Sequence, residues 1–179
     1  MLRVFGFERI GVVVSDLYFV DPRPSPGEEG PEHGVRLEVR FLEQGELKGS
    51  IYSARPIAVD RPIWRADLLE SYGSNGTYDR THHHPRFHGW NPTRRHFVEE
   101  LSSDPLGWLQ AKLEDLAGLL EHAQVPIDDV TPADLEGLRA AAPEIVDVVR
   151  RTLDEVRAGR LGQPPVADGE LTSARASWL

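Results

Sequence analysis

The chain has 179 residues, 40% of them hydrophobic, which is the size of one domain able to bury a core without covalent staples. It contains no cysteine, which excludes disulfides and any metal or nucleophilic site built on thiolate. A net charge of −9 opposes general attraction to nucleic acid phosphates, so a nucleic-acid reader would need a local basic patch.

At the N-terminus, the apolar run Ile10 to Val14 is hemmed in by Glu8, Arg9 and Asp16. That leaves neither a signal-peptide core nor a membrane span, and the expectation is a cytoplasmic protein with no membrane partner. Ile10 to Val20 is apolar and β-branched enough for a buried strand. Pro22 to His33, with its prolines, glycines and glutamates, predicts an exposed loop. Val35 to Leu42 alternates, with Val35, Leu37, Val39 and Phe41 on one face against Arg36, Glu38 and Arg40 on the other. Gln44, Gly45 and Glu46 close a hairpin into a third strand, Lys48 to Val59. Arg61 and Pro62 then separate off a fourth, Ile63 to Leu69, and a fifth falls around Thr81 to Phe87 after the turn Tyr72 to Thr77.

The period then changes. Asp104 as N-cap, Pro105 in the first turn and leucines at 106, 109, 113, 116 and 120 predict an amphipathic helix to about Ala123. Thr131 and Pro132 start a second helix, and Pro143 opens a third through Arg157. Strands followed by helices predict an α+β fold: an N-terminal, mostly antiparallel sheet of about five strands packed with three C-terminal helices. Residues 1–158 form the expected single domain, and residues 159–179, poor in apolar side chains until Trp178, the expected flexible tail.

One segment departs from the rest. Five of seven histidines (82, 83, 84, 88 and 96) lie between Asp79 and His96, with four arginines against one acid. The stretch is therefore +3 while the remainder is −12, from −9 minus 3. Tyr78, Phe87, Trp90 and Phe97 interleave it with rings, which places cations beside stacking surfaces as single-stranded RNA or a nucleotide requires.

Three kinds of chemistry fit. Imidazole titrates near neutrality, so His82 and His84, on one face of an extended strand with Arg86 in line, His83 opposite and His88 beyond the turn, suit general acid-base catalysis at a phosphate. Alternatively, His82 and His84 with His88 or Asp67 make a three-ligand metal site with a position left for water. A third account needs no ligand at all: the histidines and arginines pair with Asp67, Glu70, Glu99 or Glu100 and lock the loop to the sheet.

An aromatic-Arg-x-Asp strand, here Trp64, Arg65, Ala66 and Asp67, followed by the run His82, His83, His84, Pro85, Arg86, Phe87 and His88, resembles the TumE-like toxins of bacterial toxin-antitoxin pairs. The sheet is equally similar to that of an actinobacterial family built on the same strands. The resemblance to the toxins implies an enzyme acting on RNA or a nucleotide and a protein antitoxin as partner.

The sequence thus nominates His82, His84, His88 and Asp67 as catalytic groups and Arg65, Arg86 and Trp90 as substrate-binding groups, with no metal and no cofactor. The rival expectation is a non-catalytic interaction protein that holds a protein partner with the same Arg, Trp and Phe-rich loop.

Overall fold

A computed structural model of the chain describes residues 1–165. Five strands, β1 (Leu2–Gly6), β2 (Ile10–Val20), β3 (Pro31–Gln44), β4 (Ile57–Ser71) and β5 (His82–His84), form one antiparallel sheet in sequence order. A ribbon of β6 (Phe87–His88) and β7 (Asn91–Pro92) comes next. Four helices follow: α1 (Glu99–Ser103), α2 (Pro105–Glu114), α3 (Leu116–Ala123) and α4 (Pro132–Arg157). The fold is α+β, as strands followed by helices predict.

Alternation decides which sheet face the helices cover. Ile10, Val12 and Val14 of β2, Val35, Leu37 and Val39 of β3, and Trp64, Ala66 and Leu68 of β4 are buried with Leu109, Leu113, Leu120, Leu138, Ile145 and Val149 from the helices. Each large aliphatic side chain so buried contributes about 1.5–3 kcal/mol, and a one-residue slip would turn the whole set outward. The residues between them, Arg36, Glu38, Arg40, Arg65 and Asp67, consequently share the opposite face.

Several strands differ from the sequence expectation. Lys48 to Val59 is not a third strand, because most of it is a turn-rich excursion, and the strand begins only at Ile57. It then runs through Pro62 to Ser71 as one element. Proline without an amide donor is accommodated because the ladder is irregular there: Arg40 pairs with Pro62 between two register shifts. Third in the sheet is therefore Pro31–Gln44, which takes in the end of the expected loop, while β1 supplies a strand not foreseen.

The leucine stripe also breaks. Asp115 interrupts it, and its carboxylate accepts from the Gly118 amide to cap α3, as Asp104 accepts from Gly107 to cap α2. The two helices expected from Pro132 and Pro143 are instead one, α4, with Pro143 inside it. An internal proline costs about 3 kcal/mol, offset here because Leu138, Ala142, Ile145, Val146 and Val149 stay buried on both sides of it.

The start of α4 is clamped to the start of the chain. Asp134, fully buried, completes a capping box with Thr131 and also accepts from the amides of Glu8 and Arg9 in the β1–β2 turn. After α4, the Gly162 amide donates to the Asp16 carboxylate and Tyr72 donates to Gln163. The expected tail otherwise falls at 166–179, outside the described residues, and Trp178 with it. Among the described residues no helix is long and apolar enough to cross a membrane.

Candidate metal centre

Strand register assembles the site. Ser15, Arg36, Asp67 and His82 lie in one row across β2, β3, β4 and β5, and Val13, Glu38, Arg65 and His84 form the next. Directly opposed residues of an antiparallel pair share a face, so His82 and His84 stand beside Asp67 and Arg65 while His83 points to the other side. Pro85 stops β5 immediately afterwards, since it has no amide to continue the ladder.

Asp67 is the hub. Its side chain is 1% exposed and is gripped by Arg36 in a fork, Nε to Oδ1 at 2.7 Å and Nη2 to Oδ2 at 3.0 Å. That fork fixes the carboxylate and presents Oδ2 to both rings, with His82 Nε2 at 3.5 Å and His84 Nε2 at 3.6 Å.

Each ring is oriented from behind. His82 Nδ1 lies 2.7 Å from the Arg80 carbonyl and His84 Nδ1 lies 2.6 Å from the Thr93 carbonyl. A carbonyl only accepts, so Nδ1 of each ring carries a hydrogen and Nε2 is the nitrogen that faces Asp67.

A cation between the donors, either protons on Nε2 or a metal ion, would complete this arrangement. At 3.5 and 3.6 Å the separations exceed the 2.7–3.2 Å of an N–H···O hydrogen bond. They match the edge of a coordination polyhedron: tetrahedral bonds of about 2.0–2.1 Å put neighbouring donors about 3.3 Å apart. One donor atom from each of Asp67, His82 and His84 lies within 4.8 Å of the others, and all three residues are buried. Two imidazoles and one carboxylate, each imidazole backed by a carbonyl, constitute a ligand set for a first-row divalent ion.

Electrostatics agree with an ionised carboxylate here. Burial would raise the Asp67 pKa, but the Arg36 charge and the contacts with His82, His84 and Arg36 override it and hold the group well below the usual carboxylate range. Burial also lowers the Arg65 guanidinium, and neighbouring Arg36 pushes it the same way. Beside them Glu38 accepts from Arg65 and Arg40, so the face is a chain of alternating charges.

Of the residues nominated from sequence, His82, His84, Asp67 and Arg65 meet on this face. His88 does not join them, being exposed on the separate β6–β7 ribbon. Arg86 is half-buried, and no side-chain bond links it to the cluster. Trp90 is 58% exposed and stacks under Arg40, whose Cζ lies 5.2 Å from the ring centroid, while Phe87 does the same for Arg65 at 5.0 Å. His83 packs against Trp108 and Trp64 on the helix side, and its backbone bridges to His96. The lock imagined for Glu70 exists with a different partner, Arg157 of α4. Glu99 and Glu100 are exposed at the head of α1.

Arg36, Glu38 and Arg40 are the residues of this polar face that the sequence nomination lacks. Their signal was parity: three charges on the polar side of β3, in phase with Arg65 and Asp67 on β4. No family model matches this chain, and no curated protein or solved structure is similar enough to it to count as a match.

Proposed function

We propose that this protein is a metalloprotein that binds one divalent transition-metal ion through Asp67 Oδ2, His82 Nε2 and His84 Nε2. The carrying observation is that both rings turn Nε2 toward one carboxylate oxygen at metal-edge rather than hydrogen-bond separation, with both Nδ1 atoms held by carbonyls. Direct acid-base catalysis by these rings is the weaker reading, because Nδ1 of each is held by a carbonyl and Nε2 is buried against Asp67. Three protein ligands would leave one coordination position open, and the chemistry such an ion would supply there is a lowered pKa for a bound water. Trp90 and Phe97, 58% and 51% exposed at the rim, favour a substrate with a planar body, of which RNA or a nucleotide is one class.

The test is metal content. Purified protein stripped with chelator and titrated with Zn(II) or Co(II) should take up one ion per chain and melt higher when loaded, by about 2.7 kcal/mol at a hundredfold excess over Kd. His82→Ala and His84→Ala should each abolish the uptake. Uptake that survives both substitutions, or no uptake at micromolar metal, overturns the assignment.

A second reading, the interaction protein, is favoured by a different surface from the one named by sequence. Ile51, Tyr52 and Ile57, at the far end of the β3–β4 hairpin, are exposed apolar side chains. Capture of a stoichiometric protein partner that is lost on Tyr52→Asp but kept on His82→Ala would establish it.

A further inference from the structure

The metal reading leaves a charge imbalance on this face. Arg36, Arg40 and Arg65 oppose only Glu38 and Asp67, so with neutral rings the patch is +1, and a divalent ion makes it +3. Glu28, Glu32 and Arg95 do not correct this, because they pair with one another at the other end of β3. Glu32 is four residues from Arg36 along the strand, about 13 Å at 3.3 Å per residue.

Donors remain to meet the missing anion. Arg36 uses Nε and Nη2 on Asp67, and Arg65 uses Nε and Nη2 on Glu38, leaving Nη1 of each without a partner among the described residues. The Arg36 and Arg65 side chains are 23% and 13% exposed, whereas the three metal ligands are buried.

We propose that the centre takes a small anion bearing a carboxylate or phosphate group, bound between the metal's open position and the guanidinium groups of Arg36 and Arg65. This rests on the metal reading above. The arginine forks supply planar, always-charged donors, and the ion supplies the remaining bond to the same anion. The shared chemistry is an oxyanion. Phosphate and acetate used separately distinguish a phosphoryl from a carboxyl source.

The experiment loads the full chain with Co(II) and records its visible absorption while inorganic phosphate or acetate is added. Expected is a saturable spectral change with at least one of the two and a matching rise in melting temperature. Arg65→Met should weaken that anion at least tenfold, and Arg65→Lys by less. Cobalt uptake is measured first in each protein, so the two failures separate. No cobalt bound overturns the metal reading and this inference together. Cobalt bound, with a spectrum indifferent to both anions up to 100-fold excess over the metal, overturns this inference alone. Undiminished anion binding in Arg65→Met removes the arginine from the site. The wild-type titration decides the proposal even where a variant fails to fold.

Discussion

Replacing Asp67 by Asn tests whether a buried carboxylate holds this face together. The substitution keeps the volume but removes the charge that Arg36 grips through two bonds of 2.7 and 3.0 Å in a site only 1% exposed. Removing one partner of a buried pair strands the other and costs about 3–5 kcal/mol. Because the Arg36 side chain reaches water at 23% exposure, the lower end, about 3 kcal/mol, is expected. For a chain of this size that lowers Tm by about 6–12 °C. Urea denaturation of chelator-treated protein reads it directly. Arg36→Met combined with Asp67→Leu should recover most of the loss that either of these two substitutions causes alone, giving a coupling energy of at least about 2 kcal/mol in that double-mutant cycle. A loss under about 0.5 kcal/mol for Asp67→Asn, or a cycle that closes additively, refutes the reasoning.

Acid should weaken the protein in two stages. His83, brought down to about 4 by burial, aided by His96 and Lys112, stays neutral in the fold while the unfolded chain protonates near its ordinary pKa of 6.5. Stability therefore falls as pH drops from 6.5 toward 4, by roughly 1–2 kcal/mol once partial exposure is discounted, and His83→Phe should flatten that slope in pH-resolved urea melts. The depressed Asp67 contributes stability that is present above the ordinary carboxylate pKa and is lost as pH falls below it, a component that Asp67→Asn should lack. Gly34, at φ 153° in β3, leaves no room for a side chain because a Cβ would run into the Leu68 carbonyl. Gly34→Ala should cost about 2 kcal/mol or more in thermal unfolding. Asp134→Ala strips acceptors from Thr131, Glu8 and Arg9 and should cost about 3 kcal/mol, well beyond the ~1 kcal/mol of an ordinary cap, as measured by the same melts.

The fold class was legible because the apolar period changes from two to between three and four near Asp104, and that change obliges strands first and helices after. Local punctuation read less well. Pro62 and Pro143 look like boundaries, yet each lies inside an element whose buried neighbours outweigh one missing donor. Asp115 interrupts a leucine stripe whose spacing continues unbroken. In the candidate site, His82, His84 and Asp67 were visible from alternation and from their chemistry. Arg36 was not, because pairing across β3 and β4 depends on a register that the hairpin between them hides. His88 and Arg86 were nominated by proximity in sequence, which Pro85 and the β6–β7 ribbon then break.

The clamp at the head of α4 also bears on how the chain is made. Two amides near the amino end find their acceptor 125 and 126 positions later, so at ribosomal speeds of about 5–20 residues per second they wait roughly 6–25 s for it. During that interval the nascent sheet has a first turn with no permanent acceptor for either group. A fragment that stops before the long helix would keep that defect for good, so the strand half is not expected to survive as a free-standing module.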